Sequence, residues 1–102
     1  MRHTKLLTKL LESQLPPLYS QETESDPRII CKFFTPDAQW TWYVIEYDPR
    51  GRIFYGYVEG LEGELGYFSL SELQEIRGQL GLPVERDLYF KPCTLSEIRA
   101  KR

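Results

Sequence analysis

The residues able to do chemistry in this chain are few. His3 is the only histidine, at a terminus expected to fray, so a histidine-based triad or acid–base scheme has no member. Cys31 and Cys93 are the two cysteines. They stand far apart, in no metal-like spacing, with Lys32 and Lys91 as their cationic neighbours. Reduced thiols of a cytoplasmic protein are the expectation. Glu59, Glu62 and Glu64 alternate with glycines from Glu59 to Gly66, a flexible acidic loop by its composition. Oxygen ligands suit a hard cation, but the Asp-x-Asp-x-Asp-Gly order of a calcium loop is missing. Glu85-Arg86-Asp87 is the most highly charged triplet, held between apolar Val84 and Leu88. Such a triplet marks either a site or a surface ion-pair cluster of little energetic weight. There is no phosphate loop, nucleophile elbow or zinc spacing. The expectation is therefore no cofactor, no metal and no catalytic set. A carboxylate-only enzyme built on Glu59, Glu62 or Asp87 is the one catalytic reading that stays open.

Aromatic side chains are better represented, at 14% of the chain. Trp40, Trp42 and Tyr57 fall in one stretch, WTWYVIEYDPRGRIFYGYV from Trp40 to Val58. That stretch reads as a long antiparallel hairpin turned at Asp48-Pro49-Arg50-Gly51. With the turn centred between Pro49 and Arg50, Tyr47 faces Arg52, Ile45 faces Phe54, Tyr43 faces Gly56 and Thr41 faces Val58. The other face then pairs Glu46 with Ile53, Val44 with Tyr55, Trp42 with Tyr57 and Trp40 with Glu59. Both faces are apolar, which fits a sheet covered on two sides or one that keeps a face for a partner. Trp and Tyr anchor protein interfaces because they bury much area with few rotors and retain a polar tip. The same rings can stack nucleobases, but the acids Glu46, Glu59, Glu62 and Glu64 nearby would repel phosphate. With 13 basic and 15 acidic residues the net charge is −2, and no basic stripe invites nucleic acid.

The positioning elements follow in order. His3 to Ser13 reads as an amphipathic helix with Leu6, Leu7, Leu10 and Leu11 on one stripe, ended by Pro16-Pro17. A polar loop from Gln21 leads to a strand over Arg28 to Phe34, and Thr35-Pro36-Asp37-Ala38 connects it to the hairpin. Gly66-Tyr67-Phe68 forms a short strand. Ser69 and Glu72 fit a capping box opening a helix that stops at Gly78, with Ser71 and Gln74 as the alternative. Gln79 to Asp87 is read as a loop and Leu88-Tyr89-Phe90 as a last strand. Thr94 and Glu97 repeat the capping pattern before a final helix to Lys101. No apolar run approaches a membrane span, and no secretory signal is evident.

Leu15-Pro16-Pro17-Leu18-Tyr19, Lys32-Phe33-Phe34-Thr35-Pro36 and Trp40-Thr41-Trp42-Tyr43 resemble the domain of unknown function 2958 family. So do Gly56-Tyr57-Val58, the run from Glu64 to Leu70, and Gly81-Leu82-Pro83-Val84-Glu85-Arg86-Asp87. The resemblance runs from Leu15 onward. It implies a small bacterial protein often accompanying plasmids and other mobile elements, with an anti-defence or DNA-transfer setting, and it brings no catalytic residues.

The expected fold is α+β: an antiparallel sheet of four to five strands with short helices mainly on one face. One domain covers residues 1–102, with an amphipathic helix in 1–14, the sheet-and-helix core in 28–90 and a closing helix in 94–101. The expected function is a non-enzymatic cytoplasmic binding module for a partner protein, monomeric or homodimeric and free of the membrane. Its surface would join Trp40, Trp42, Tyr57, Glu62, Arg86 and Asp87. A nucleic-acid-associated accessory protein is the alternative.

Overall fold

The computed structural model describes residues 5–101, so His3, at the head of the expected first helix, lies outside them. Within them are α1 (Lys9–Gln14), β1 (Arg28–Ile29), β2 (Cys31–Phe34), β3 (Thr41–Asp48), β4 (Ile53–Glu59), β5 (Gly63–Ser69), α2 (Leu70–Glu75), β6 (Glu85–Arg86), β7 (Cys93–Thr94) and α3 (Leu95–Ala100). Five antiparallel strands order as β5-β4-β3-β2-β6, and β1 pairs with β7 in a separate two-stranded ribbon. The α+β expectation holds.

The β3–β4 hairpin forms where the sequence places it, but in another register. Thr41 faces Glu59, Trp42 faces Val58, Tyr43 faces Tyr57 and Val44 faces Gly56. Beyond a bulge the partners become Glu46–Tyr55, Tyr47–Phe54 and Asp48–Ile53. The expected pairs Tyr43–Gly56 and Trp42–Tyr57 are thus replaced. The turn end is looser than assumed: Asp48 accepts the Arg50 and Gly51 N–H groups at 3.1 and 3.2 Å, and Arg52 takes φ 55°. The extra residue of the bulge is Ile45, the residue left unpaired between Val44 and Glu46. A bulge of this kind puts two consecutive side chains on one face and bends the strand.

Two cores result. Phe33, Trp42, Val44, Tyr47, Phe54 and Phe68 pack with Leu11 of α1 and Leu70 and Leu73 of α2. On the other side Ile45 and Tyr57 pack with Ile29, Leu95 and Ile98 of α3. Two of the three helices therefore share a face, as expected, and the sheet is apolar on both faces because both are covered. Each fully buried side chain among these, such as Phe33, Phe54 or Ile45, contributes about 1.5–3 kcal/mol.

Other boundaries move for local reasons. The first helix is shorter: the Thr8 hydroxyl accepts the Leu11 N–H at 3.1 Å and starts it, and Leu10 ends up exposed rather than on the buried stripe. The Ser69 and Glu72 capping box forms as expected, both halves at 3.1 Å, yet α2 ends before Ile76, which is extended, instead of at Gly78. The supposed flexible run Gly63 to Gly66 belongs to β5, since pairing along β4 supplies the order that its glycines lack. Leu88-Tyr89-Phe90 is not a strand. Glu85–Arg86, read as loop, pairs with β2 instead, and Leu88 and Tyr89 are left exposed.

Gly56 and its partner Gly66 test the bulge. A Cβ on Gly56 would stand 2.0 Å from the Tyr43 carbonyl oxygen, whereas one on Gly66 meets nothing within 4 Å. Gly56→Ala is expected to cost about 3 kcal/mol or more in denaturant unfolding, and Gly66→Ala about 1 kcal/mol or less. Equal losses would show that the close approach at Tyr43 does not constrain the fold.

Candidate functional site

Trp40 is placed by a tight connection. The Thr35 N–H donates to the Trp40 carbonyl at 3.0 Å, and the Thr35 hydroxyl accepts the Trp40 N–H at 3.1 Å. Its indole stacks on Trp42, with centroids 6.2 Å apart and planes at 26°. It also lies against Gly60, where a Cβ would come within 2.3 Å of the ring. Gly60 is thus the one residue type that lets the indole rest there. Trp40 stays 43% exposed and Leu61 is 96% exposed. Together with Val58, Glu62, Glu64, Leu65, Gly66 and Tyr67 they border a depression of about 420 Å³. On its other side Trp40 borders a second depression, with Trp42, Ile76 and Arg77. Asp37 braces that side: its Oδ2 accepts the Leu80 and Leu82 N–H groups at 2.7 and 3.3 Å. Its Oδ1 is buried without a hydrogen-bond partner, in the space a Cβ on Gly78 would need.

The six residues expected to share one surface do not. Trp40 and Glu62 come together at this depression, and Trp42 forms the floor beneath Trp40. Tyr57 is buried on the opposite face of the sheet, under the Arg99 guanidinium 5.1 Å from its ring. That separation follows from the register, which pairs Trp42 with Val58. Arg86 and Asp87 lie at the far edge of the sheet, with β2, β3 and β4 between β6 and β5. There Arg86 Nε donates to the Lys5 carbonyl at 3.1 Å, and Asp87 pairs with Lys32 at 3.7 Å and accepts the Tyr89 N–H at 2.9 Å. These contacts are those of a surface cluster that ties the amino-terminal segment to the β6 edge.

A second region was not anticipated. Glu46 is 3% exposed, and its two carboxylate oxygens accept the backbone N–H groups of Tyr19 at 2.9 Å and Gln21 at 2.7 Å. Tyr19 has φ 70° there, an uncommon conformation for a residue with a Cβ. Above Glu46 is a cavity of about 320 Å³ walled by Tyr19, Tyr55 and Tyr67, with Glu22, Glu24 and Arg99 also lining it. The Tyr55 and Tyr67 rings are 5.0 Å apart. Desolvation pushes the Tyr67 phenol up from its ordinary value, followed by the neighbouring Tyr19 and Tyr55 phenols and the Glu46 carboxylate. The sequence signal for this region was faint: a glutamate inside an apolar strand, which burial satisfied by backbone N–H groups from a remote loop explains.

Burial disfavours the thiolate at both cysteines. Burial pushes Cys31 up to about 12, only partly opposed by Arg86, and burial likewise raises Cys93. Among the described residues no group of three or more His, Cys, Asp or Glu is arranged to hold a metal ion, and no helix is long and apolar enough to cross a membrane.

A family model described as a protein of unknown function (DUF2958) matches residues 4–100. The chain belongs to that family, and the match takes in the amino-terminal helix that the motif resemblance left out. No curated protein and no solved structure matches it.

The wall that α3 gives to the cavity depends on Asp26. Thr94, expected to cap that helix, makes no side-chain cap bond to its backbone. Asp26 does so from a distance, accepting the Ser96 N–H at 2.9 Å and the Ser96 hydroxyl at 2.7 Å. These bonds, the hydroxyl's first, hold the Asp26 carboxyl below its ordinary value. A lowered folded-state value stabilises the fold above the ordinary carboxylate range, and that contribution is lost as pH falls through it. Asp26→Asn should therefore melt below wild type at neutral pH, and the two melting curves should converge once pH has fallen below the ordinary carboxylate range and through the lowered Asp26 value. A gap that persists in acid would remove Asp26 as the cap.

Proposed function

We propose that this DUF2958 protein is a non-enzymatic cytoplasmic binding module that engages a partner protein through the Trp40 ledge and the adjoining β5 edge. The observation that carries the reading is the cluster of exposed apolar side chains there. Trp40, Leu61, Leu65 and Tyr67 all border one depression although each is at least 41% exposed. Contiguous exposed apolar surface on a small domain marks an interaction site more often than chance exposure does. The backbone adds to it. β5 pairs with β4 alone, so its outer edge offers unpaired N–H and C=O groups to an incoming strand.

Glu62 and Glu64 at this depression favour a protein over nucleic acid, since phosphates would be repelled. The absence of enzyme chemistry is the simplest reading of thiols held protonated by burial and of carboxylates already engaged at Glu46, Asp26 and Asp87. A bacterial mobile-element setting is the proposed context.

The test is affinity capture from host lysate with and without nuclease, comparing wild type with Trp40→Ala. Trp40 stacks on one ring and is half-exposed, so its loss should cost about 1 kcal/mol of stability and leave the fold intact. A nuclease-resistant protein that is captured by wild type, lost on Trp40→Ala and insensitive to added salt is the expected result. Capture that vanishes with nuclease and falls steeply with salt would overturn the protein-binding reading.

A further inference from the structure

The cavity over Glu46 lies on the other face of β5 from the Trp40 ledge, reached by alternation at Leu65 and Tyr67. Its construction is unlike that of a packing defect. A void left by imperfect packing is apolar and dry, whereas this one has a nearly fully buried carboxylate at its base and three phenol rings around it. Each oxygen of Glu46 takes one backbone N–H, which leaves a lone pair on each for a further donor. The loop that supplies those N–H groups is held in place at the expense of a left-handed Tyr19, and such strain concentrates at ligand sites.

The charge of the lining selects the ligand. Glu22, Glu24 and Glu46 face it against the single cation Arg99. Arg99 lies over the Tyr57 ring, 5.1 Å from its centroid, so part of its charge is turned toward that ring by cation–π attraction. Aromatic faces attract cations by their quadrupole, and a carboxylate at the base adds a hydrogen-bond acceptor. An anion would meet the carboxylates, and an uncharged apolar group would leave their lone pairs unused. At about 320 Å³ the space is at the small end of ligand pockets, enough for an ammonium head on a short alkyl stem.

We infer that this tyrosine-walled cavity is a binding site for an alkylammonium group, supplied by a free amine or by a lysyl side chain. The site shares Leu65 and Tyr67 with the Trp40 depression, but Glu46, Tyr19, Tyr55, Glu22 and Glu24 belong to it alone, so its test does not depend on the Trp40 reading. Glu46 and the aromatic walls bind the head, and Leu65, half-exposed at the rim, lines the path of the stem.

The experiment is amide NMR of the full chain titrated with n-butylammonium, with n-butanol as the uncharged control and Nα-acetyl-lysine methylamide as the lysyl probe. Saturable shifts at Tyr19, Gln21, Glu46 and Tyr67 with butylammonium, absent with butanol, are expected. Tyr67→Ala, at an exposed edge position, should weaken binding by about fivefold or more. The double variant Glu22→Gln and Glu24→Gln, both exposed, should weaken it as well and provides the second arm if Tyr67→Ala perturbs β5. Tighter binding of the lysine derivative assigns the source to a protein side chain, and tighter binding of butylammonium to a free amine. Equal response to butanol, no saturable shift, or affinity unchanged in both variants would overturn the site.

Discussion

One extra residue in β3 sets the arrangement of everything else. Ile45 is inserted between Val44, which faces Gly56, and Glu46, which faces Tyr55. Val44 and Tyr47 then point into the core under α1 and α2, while Ile45 and Glu46 both point the other way. The bulge brings the Tyr43 carbonyl so near the facing strand that only a residue without a Cβ fits opposite. Gly56 is therefore the sequence's side of the bargain, and its freedom matters for space, not for an unusual φ. Without the insertion, Glu46 would turn toward the hydrophobic core of Phe54 and Phe68, where no backbone donor waits for it.

Once Glu46 is aimed at the second face, its burial has to be matched by hydrogen bonds, because an unpaired carboxylate in that position would cost several kcal/mol. The segment after Pro17 meets that need. It bends at Tyr19 so that the N–H groups of Tyr19 and Gln21 converge on one carboxylate, while the Ser20 N–H between them turns back to the Pro17 carbonyl. The same segment runs on to Asp26, which reaches across to Ser96 and starts α3. A single polar chain of contacts thus organises the second face: Glu46 fixes the loop, the loop fixes Asp26, and Asp26 fixes the helix that covers Ile45 and Tyr57. The first face needs no such device, since Leu11, Leu70, Leu73 and Phe68 close it by apolar packing alone.

That contrast explains what could be read from the sequence. The hairpin turn at Asp48 and the capping box at Ser69 were legible because each is a local pattern whose partners lie within a few residues. The bulge was not. Apolar residues occupy both parities of Thr41–Asp48, so alternation supplies no cue to where the phase slips, and the expected Trp42–Tyr57 pair came from centring the turn one residue early, between Pro49 and Arg50, and carrying that register through the bulge. β6 and β7 have two residues each, too short for any periodicity to show, and they exist only because β2 and β1 are there to receive them. The Glu46 cavity was hidden for the same reason at longer range. Its walls come from Tyr19, Tyr55, Tyr67 and Arg99, residues that only the completed fold brings together. Of the residues first singled out for function, Trp40 and Glu62 kept their company because Thr41 pairs with Glu59 at the open end of the hairpin; Arg86 and Asp87 lost it because β6 joins the far edge of the sheet.

β5, paired with β4 on one edge only, is the element on which the proposed binding reading rests. Edge strands are ordinarily blunted by charge, by proline, by a bulge or by brevity. β6 at the opposite edge is short, and it is charged at both residues, Glu85 and Arg86. β5 has seven residues, no proline and no bulge, and only Glu64 along it carries a charge. Its side chains divide between the two depressions: Glu64 and Gly66 border the Trp40 ledge, while Leu65 and Tyr67 border both that depression and the Glu46 cavity. An extended segment laid along this edge would find backbone partners in the middle, an aromatic shelf on one face and a phenol-walled acidic cavity on the other. A fold selected only for stability gains nothing from leaving that edge open between two shaped surfaces, and a fold that receives a ligand there gains all three contacts from one strand.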